Sequence, residues 1–130
     1  DRNLKRLCGV DIDLTTSTYD EIEDIKLNGT NETIHTLSYV LDYINGRVPV
    51  IIELKPFAKQ RKHAKTVSKI LEKYSHLVAV QSFSPFIVHW FKRHDKKRIR
   101  GQISASFSDS KMNPIFKYFI KSRVKFRREY

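Results

Sequence analysis

Val48-Pro49-Val50-Ile51-Ile52-Glu53-Leu54-Lys55-Pro56 is the stretch on which the reading of this chain turns. It is the most apolar run in the sequence, and it ends abruptly in an acid and a base. Gly46-Arg47 stands before it and Pro56 closes it, so it reads as a buried strand of a parallel sheet. The side-chain period of a strand is two, which puts Val50, Ile52 and Leu54 on one face and Ile51, Glu53 and Lys55 on the other. That second face starts apolar and turns charged at its C-terminal end. In α/β folds this is the end of the sheet where ligands bind. A carboxylate there can hold a hard metal ion, and a lysine two residues on can hold the phosphate that the metal also touches. Glu-x-Lys at a strand end reads equally as an exposed ion pair of little energetic weight.

Working outward, the 130 residues suffice for one domain with a core, and 40% hydrophobic with 30% charged residues fits a folded chain rather than a disordered one. No apolar run approaches the length of about 20 residues that spans a bilayer. The chain opens at Asp1 and its one methionine is Met112, so it reads as a piece of a longer protein, in which a missing targeting signal says nothing. The single cysteine, Cys8, excludes an intrachain disulfide and a thiolate metal cluster, and reads as a lone buried thiol. The net charge of +11 is unevenly placed. Residues 1–54 hold 5 Lys/Arg against 10 Asp/Glu (−5), and residues 55–130 hold 20 against 4 (+16). The basic half implies an anionic partner: a phosphate ester, nucleic acid or a membrane surface.

Upstream of the central stretch, residues 1–9 read as a loop or a short helical turn, and Asp11 and Asp13 as solvated loop acids. Thr18 with Glu21 predicts a capping box and a short helix to about Leu27, stopped by Asn28-Gly29. Thr36 predicts the cap of a helix over Leu37–Ile44, with Leu37, Val40, Leu41 and Ile44 on its apolar face. Downstream, Pro56 predicts the start of a helix. Its stripe is Val67, Ile70, Leu71 and Tyr74, and Lys59, Arg61, Lys62, Lys65, Lys69 and Lys73 crowd the rest. A second strand is predicted at Val78–Ser82. Ser84-Pro85 opens a helix packed through Phe86, Ile87, Trp90 and Phe91. A third strand spans about Ile99–Ser104, where Gly101 marks a bulge or a close backbone approach. Asn113-Pro114 opens a last helix with Ile115, Phe116, Phe119 and Ile120. The order predicts an α/β fold of about three parallel strands with helices, and a sheet with bare edges.

Taken in order, these stretches resemble the glycerophosphodiester phosphodiesterase family. Asp1-Arg-Asn-Leu-Lys-Arg6 resembles the family's His-Asp-x-x-Leu-x-Arg motif without its histidine, and Thr15–Leu27 the threonine-led acidic segment after it. Ile34-His-Thr-Leu37 resembles Ile-Pro-Thr-Leu, with His35 in place of proline. Ile52-Glu-Leu-Lys55 matches the Glu-Leu-Lys strand, and Val80-Gln-Ser-Phe83 and Ile99-Arg-Gly101 match two later strands. The resemblance implies that residues 1–130 are the middle of a TIM (β/α)8 barrel, which takes about 250 residues when whole. It implies hydrolysis of glycerophosphodiesters to an alcohol and sn-glycerol 3-phosphate with a divalent ion, Mg2+ or Ca2+. Position by position, Glu53 becomes one of three carboxylate metal ligands and Lys55 a phosphate contact. Asp1 neighbours a catalytic histidine. Both family histidines, the Glu-x-Asp ligand pair, the first His-Arg-Gly motif and the late tryptophan strand are not in this sequence, so the 130 residues alone are expected to be inactive.

The remaining residues take plainer readings. His35, His63, His76, His89 and His94 are scattered and form no metal-ligand pair, although His35 stands where the family's loops approach the barrel mouth. Gln81 and Phe83 are near the site, Phe83 as a core residue, and Arg6 supports its own loop. Two rival functions stay open. One is a sister barrel phosphodiesterase acting on phosphoinositides or sphingolipids. The other is a basic module binding nucleic acid or anionic membrane; with no RNA-recognition signature or zinc finger in the sequence, nucleic acid is not the expected partner. The location is read as cytoplasmic, with a membrane-associated or secreted parent also open, and the bare sheet edges suggest self-association.

Overall fold

A computed structural model describes residues 2–104. The predicted helix at Asn113 and the basic tail lie outside the described residues, as does Asp1.

Three parallel strands, β1 (Val50–Glu53), β2 (Val78–Ser82) and β3 (Ile99–Gln102), lie side by side in chain order. Val50 pairs with Val78 and Glu53 with Gln81; Ala79 pairs with Ile99 and Gln81 with Gly101. Helix α3 (Gln60–Leu71) connects β1 to β2, and α4 (Pro85–His94) connects β2 to β3. Both lie on one face of the sheet. Ala64, Val67 and Leu71 of α3 and Ile87 and Phe91 of α4 form a single core with Leu54, Val78 and Val80. Helix α2 (Leu37–Ile44) adds Leu41 to the same core. Among the described residues the face bearing Ile51, Ala79 and Ile99 carries no helix, and Ile51 and Ile99 are 67% and 57% exposed. The strand period thus sorts the two faces as the sequence predicts: Val50, Ile52 and Leu54 inward to the helices, Ile51, Glu53 and Lys55 away from them.

The predicted α2 and β2 have the observed bounds. Thr36 Oγ1 accepts the Tyr39 N–H at 3.2 Å, and Asn45 and Gly46 both take left-handed φ to end α2. A side chain at Gly46 would run into the His76 imidazole, so the glycine is needed for space as well as for φ. Val40, expected on the buried face, is exposed beside Tyr39 and Tyr43.

Several expectations are corrected. Pro56 does not open α3. The chain takes residues 54–59 to rise from sheet to helix layer, turns at Lys59 in left-handed conformation, and begins the helix at Gln60. Residues 18–27 form no helix. The Glu21 carboxylate does accept the Thr18 N–H at 2.7 Å, half of the capping box, but one turn follows and the chain then bends. Asp20, Glu21, Glu23 and Asp24 crowd four like charges into that turn, which opposes a helix. Ile22 instead joins Leu4 and Cys8 in a small second core, flanked by Ile25 and Leu27. Gly29 turns the chain so that Lys26 bridges Thr33 antiparallel. Phe86 and Phe83 are 67% and 44% exposed rather than packed. Gly101 sits in regular pairing with no bulge, and β3 ends at Gln102, short of Ser104.

Candidate functional site

The C-terminal edge of the sheet is tied together before any functional side chain is placed on it. The Ser82 hydroxyl donates to the Leu54 carbonyl at 2.6 Å and accepts the Ser84 N–H at 3.0 Å. Leu54 N–H donates to the Gln81 carbonyl at 2.8 Å, continuing the β1–β2 ladder past the end of β1. The Gln102 amide donates to the carbonyls of Ser82 and Phe83, both at 3.1 Å. Ser82 is fully buried, so its two hydrogen bonds satisfy a hydroxyl that burial would otherwise penalise. These bonds fix the ends of the three strands relative to one another.

On this edge, Glu53, Gln81 and Gly101 form one row across the three strands, on the face that the helices leave bare. Lys55 Nζ donates to Glu53 Oε1 at 2.7 Å, with side chains 38% and 29% exposed. The two residues singled out from the sequence are therefore in direct contact at the predicted strand end. Gly101 puts no side chain into the row. A Cβ there would make only ordinary contact with Gln81 Cβ at 3.8 Å, so the place beside Gln81 is open rather than forbidden. The arrangement offers one carboxylate, one ammonium and one amide facing solvent over an apolar floor of Ile51, Ala79 and Ile99. Half-exposed, the ion pair contributes little stability. Its chemical content is a hard oxygen ligand beside a mobile positive charge, suited to a phosphate group.

A divalent site needs more than this. Among the described residues no three His, Cys, Asp or Glu side chains gather, so these residues do not by themselves complete a divalent site around Glu53. Asp1 lies outside the described residues. His35 is engaged locally, its ring 4.4 Å from that of Tyr39 and its Nε2 4.0 Å from a Glu32 oxygen.

Asp13 is a structural residue rather than a merely solvated acid. The Arg2 guanidinium meets it at 2.8 Å, and Thr15 donates to it through both N–H and hydroxyl at 2.8 and 2.6 Å. These bonds, Arg2 first, hold its carboxyl down at about 2. Asp11 accepts from Asn3 Nδ2 at 2.6 Å. Cys8 is buried and unpaired, as the sequence indicates. Sequence reasoning missed a buried network: Asp95 accepts from Ser68 Oγ and from Arg98 Nε, both at 3.2 Å, and Arg98 also donates to the Leu71 carbonyl. The signal was present, because Asp95 is the one acid between residues 73 and 108, set in a basic run.

No protein-family model matches the chain, and no curated protein matches it.

Proposed function

We propose that the chain is the middle portion of a metal-dependent phosphodiesterase barrel that hydrolyses glycerophosphodiesters to an alcohol and sn-glycerol 3-phosphate. The observation that carries this reading is the Glu53–Lys55 contact at the carboxyl end of a parallel strand, on the face opposite the helices. In a (β/α)8 barrel all helices lie outside and the strand ends carry the chemistry. The strand order and the one-sided helices support that architecture, and the ordered resemblance of Asp1–Arg6, Ile52–Lys55, Val80–Phe83 and Ile99–Gly101 supports the substrate class. Glu53 supplies one hard ligand for a divalent ion, with the other carboxylates and both histidines coming from outside the described residues. Bound there, the ion would supply positive charge against the phosphoryl oxygens. Lys55 places a second cation within reach of the same phosphate. Gln81 borders the site on the next strand, and Gly101 leaves the room beside it.

The test uses the complete gene product and follows divalent-ion-dependent release of glycerol 3-phosphate from glycerophosphocholine. Glu53→Gln keeps shape and removes the charge, and is expected to lower turnover by about a hundredfold or more. Activity indifferent to this change would reduce Glu53 to a structural residue. Absence of activity on any glycerophosphodiester, with activity on a phosphoinositide or sphingolipid, would shift the reading to a sister enzyme. The 130-residue chain alone is expected to release no glycerol 3-phosphate, because the acid and base groups lie elsewhere.

A further inference from the structure

The outward surface of α3 and α4, beyond the helix layer from Glu53, carries a second constellation. Arg61, Phe86, His89, Trp90, Arg93 and His94 line a shallow hollow of about 440 Å³. Phe86, Trp90 and Arg93 follow one another at helical spacing on one line of α4. Phe86 projects from it, mostly exposed, although nothing in the local fold requires an aromatic ring there. Trp90 is held rigidly. Its ring stacks on that of His94 at 4.7 Å and 10° and meets Phe91 edge-on at 5.2 Å. Among the described residues no acid lines the hollow. Residues 55–104 hold 13 Lys/Arg against two acids, Glu72 and Asp95, and Asp95 is buried against Arg98. Lys62, Lys65 and Lys92 are exposed on the same two helices and add to their positive charge.

We infer that this face of α3 and α4 docks on an anionic lipid bilayer. Aromatic rings that enter the interfacial region, ringed by arginine and lysine that meet the headgroups, are the composition of an interfacial anchor. The charge is complementary to a negative leaflet, whose attraction grows with each basic residue near the surface. A single-stranded nucleic acid would need open aromatic faces on which bases stack. Here the His94 ring already covers one face of the indole, which leaves Phe86 as the one open Phe, Tyr or Trp ring in the hollow rather than a row of them. The anchor is independent of whether Glu53 binds a metal, because the two lie on opposite sides of the sheet.

Trp90 is the chain's one tryptophan, so its fluorescence reports on this face alone. The full chain is mixed with vesicles of phosphatidylcholine, without and with about a third phosphatidylserine, an ample supply of headgroup charge. Expected are partition onto the anionic vesicles, a blue shift of Trp90, and quenching by brominated acyl chains. Phe86→Ser should abolish the shift and the quenching. Arg61→Gln with Arg93→Gln should weaken partition about tenfold or more. All three positions are exposed, and a melting curve for each variant confirms that the fold persists. The basic tail beyond residue 120 could bind vesicles by charge alone. Partition that leaves Trp90 unshifted and ignores Phe86→Ser would therefore overturn the inference, as would no partition at all. Quenching of Trp90 by an oligonucleotide, with vesicles ignored, would overturn it in favour of a nucleic-acid surface.

Discussion

Asp13 fastens the start of the chain to the segment that follows α1 (Lys5–Cys8), through Arg2 and Thr15. Its carboxyl is held at about 2, below the ordinary value of 3.8, so the folded state favours the charged form. The contribution is therefore fully present above about pH 4 and is lost as the pH falls from there through 2. Asp13→Asn should lower the melting temperature at pH 6 and flatten its fall between pH 4 and 2. An unchanged acid limb in the variant would show that Asp13 is not among the groups whose protonation loosens the fold. Glu53 and Lys55 were legible at this scale because a strand's period of two is rigid: once the run Val50–Leu54 was read as a strand, their common face followed. Asp13 was harder to read. Its partner Arg2 is eleven residues away, and only the turn through α1 brings them together.

Among elements, α3 and α4 are held to each other by more than apolar contact. Ser68 on α3, Asp95 after α4 and Arg98 before β3 form a buried hydrogen-bonded ion pair whose side chains are 6% and 10% exposed for Asp95 and Arg98. Removing one partner strands the other charge in the interior, so Asp95→Ala should cost about 3–5 kcal/mol in urea denaturation. Replacing both charged residues by apolar ones of similar size, Asp95→Leu with Arg98→Met, should recover most of that loss. A loss below about 1 kcal/mol for Asp95→Ala would mean that water reaches Arg98 after all. Elements whose signals are local were legible: Thr36 and Asn45-Gly46 bracket α2, and the β-branched run Val78–Val80 fixes β2. The helix expected over 18–27 was not, because its cap is real but its acidic turn and the pull of Ile22 toward Leu4 and Cys8 prevail. Phe83 and Phe86 misled for a related reason. Hydrophobicity marks a residue that gains by burial, while α4 turns Ile87 and Phe91 fully into the core and Trp90 partly, leaving Phe86 outside.

At the largest scale, the consequential fact is a sheet that the described residues cover on one side. Ile51 and Ile99 stand exposed on its other face, and among the described residues β1 and β3 have no strand beyond them. Unpaired edges and an apolar face invite association. The 130-residue chain is expected to self-associate or to be marginally stable. Sedimentation velocity over a concentration series, with a thermal melt, decides this; a monodisperse, cooperatively melting monomer would count against it. The closure of the proposed barrel rests on family resemblance alone, since three strands in chain order curve no further than their own twist takes them.

The strand order has one more consequence. In a doubly wound sheet the crossovers leave in opposite directions at some point, and the parting of the loops there makes a crevice without further effort. Here β1, β2 and β3 step in one direction and the sheet never reverses. Among the described strands there is no topological switch point, so nothing in their connectivity digs a hole at the strand ends. If the proposed site is right, a ligand resting on Glu53 and Lys55 would have to be enclosed from across the sheet rather than by the parting of its loops.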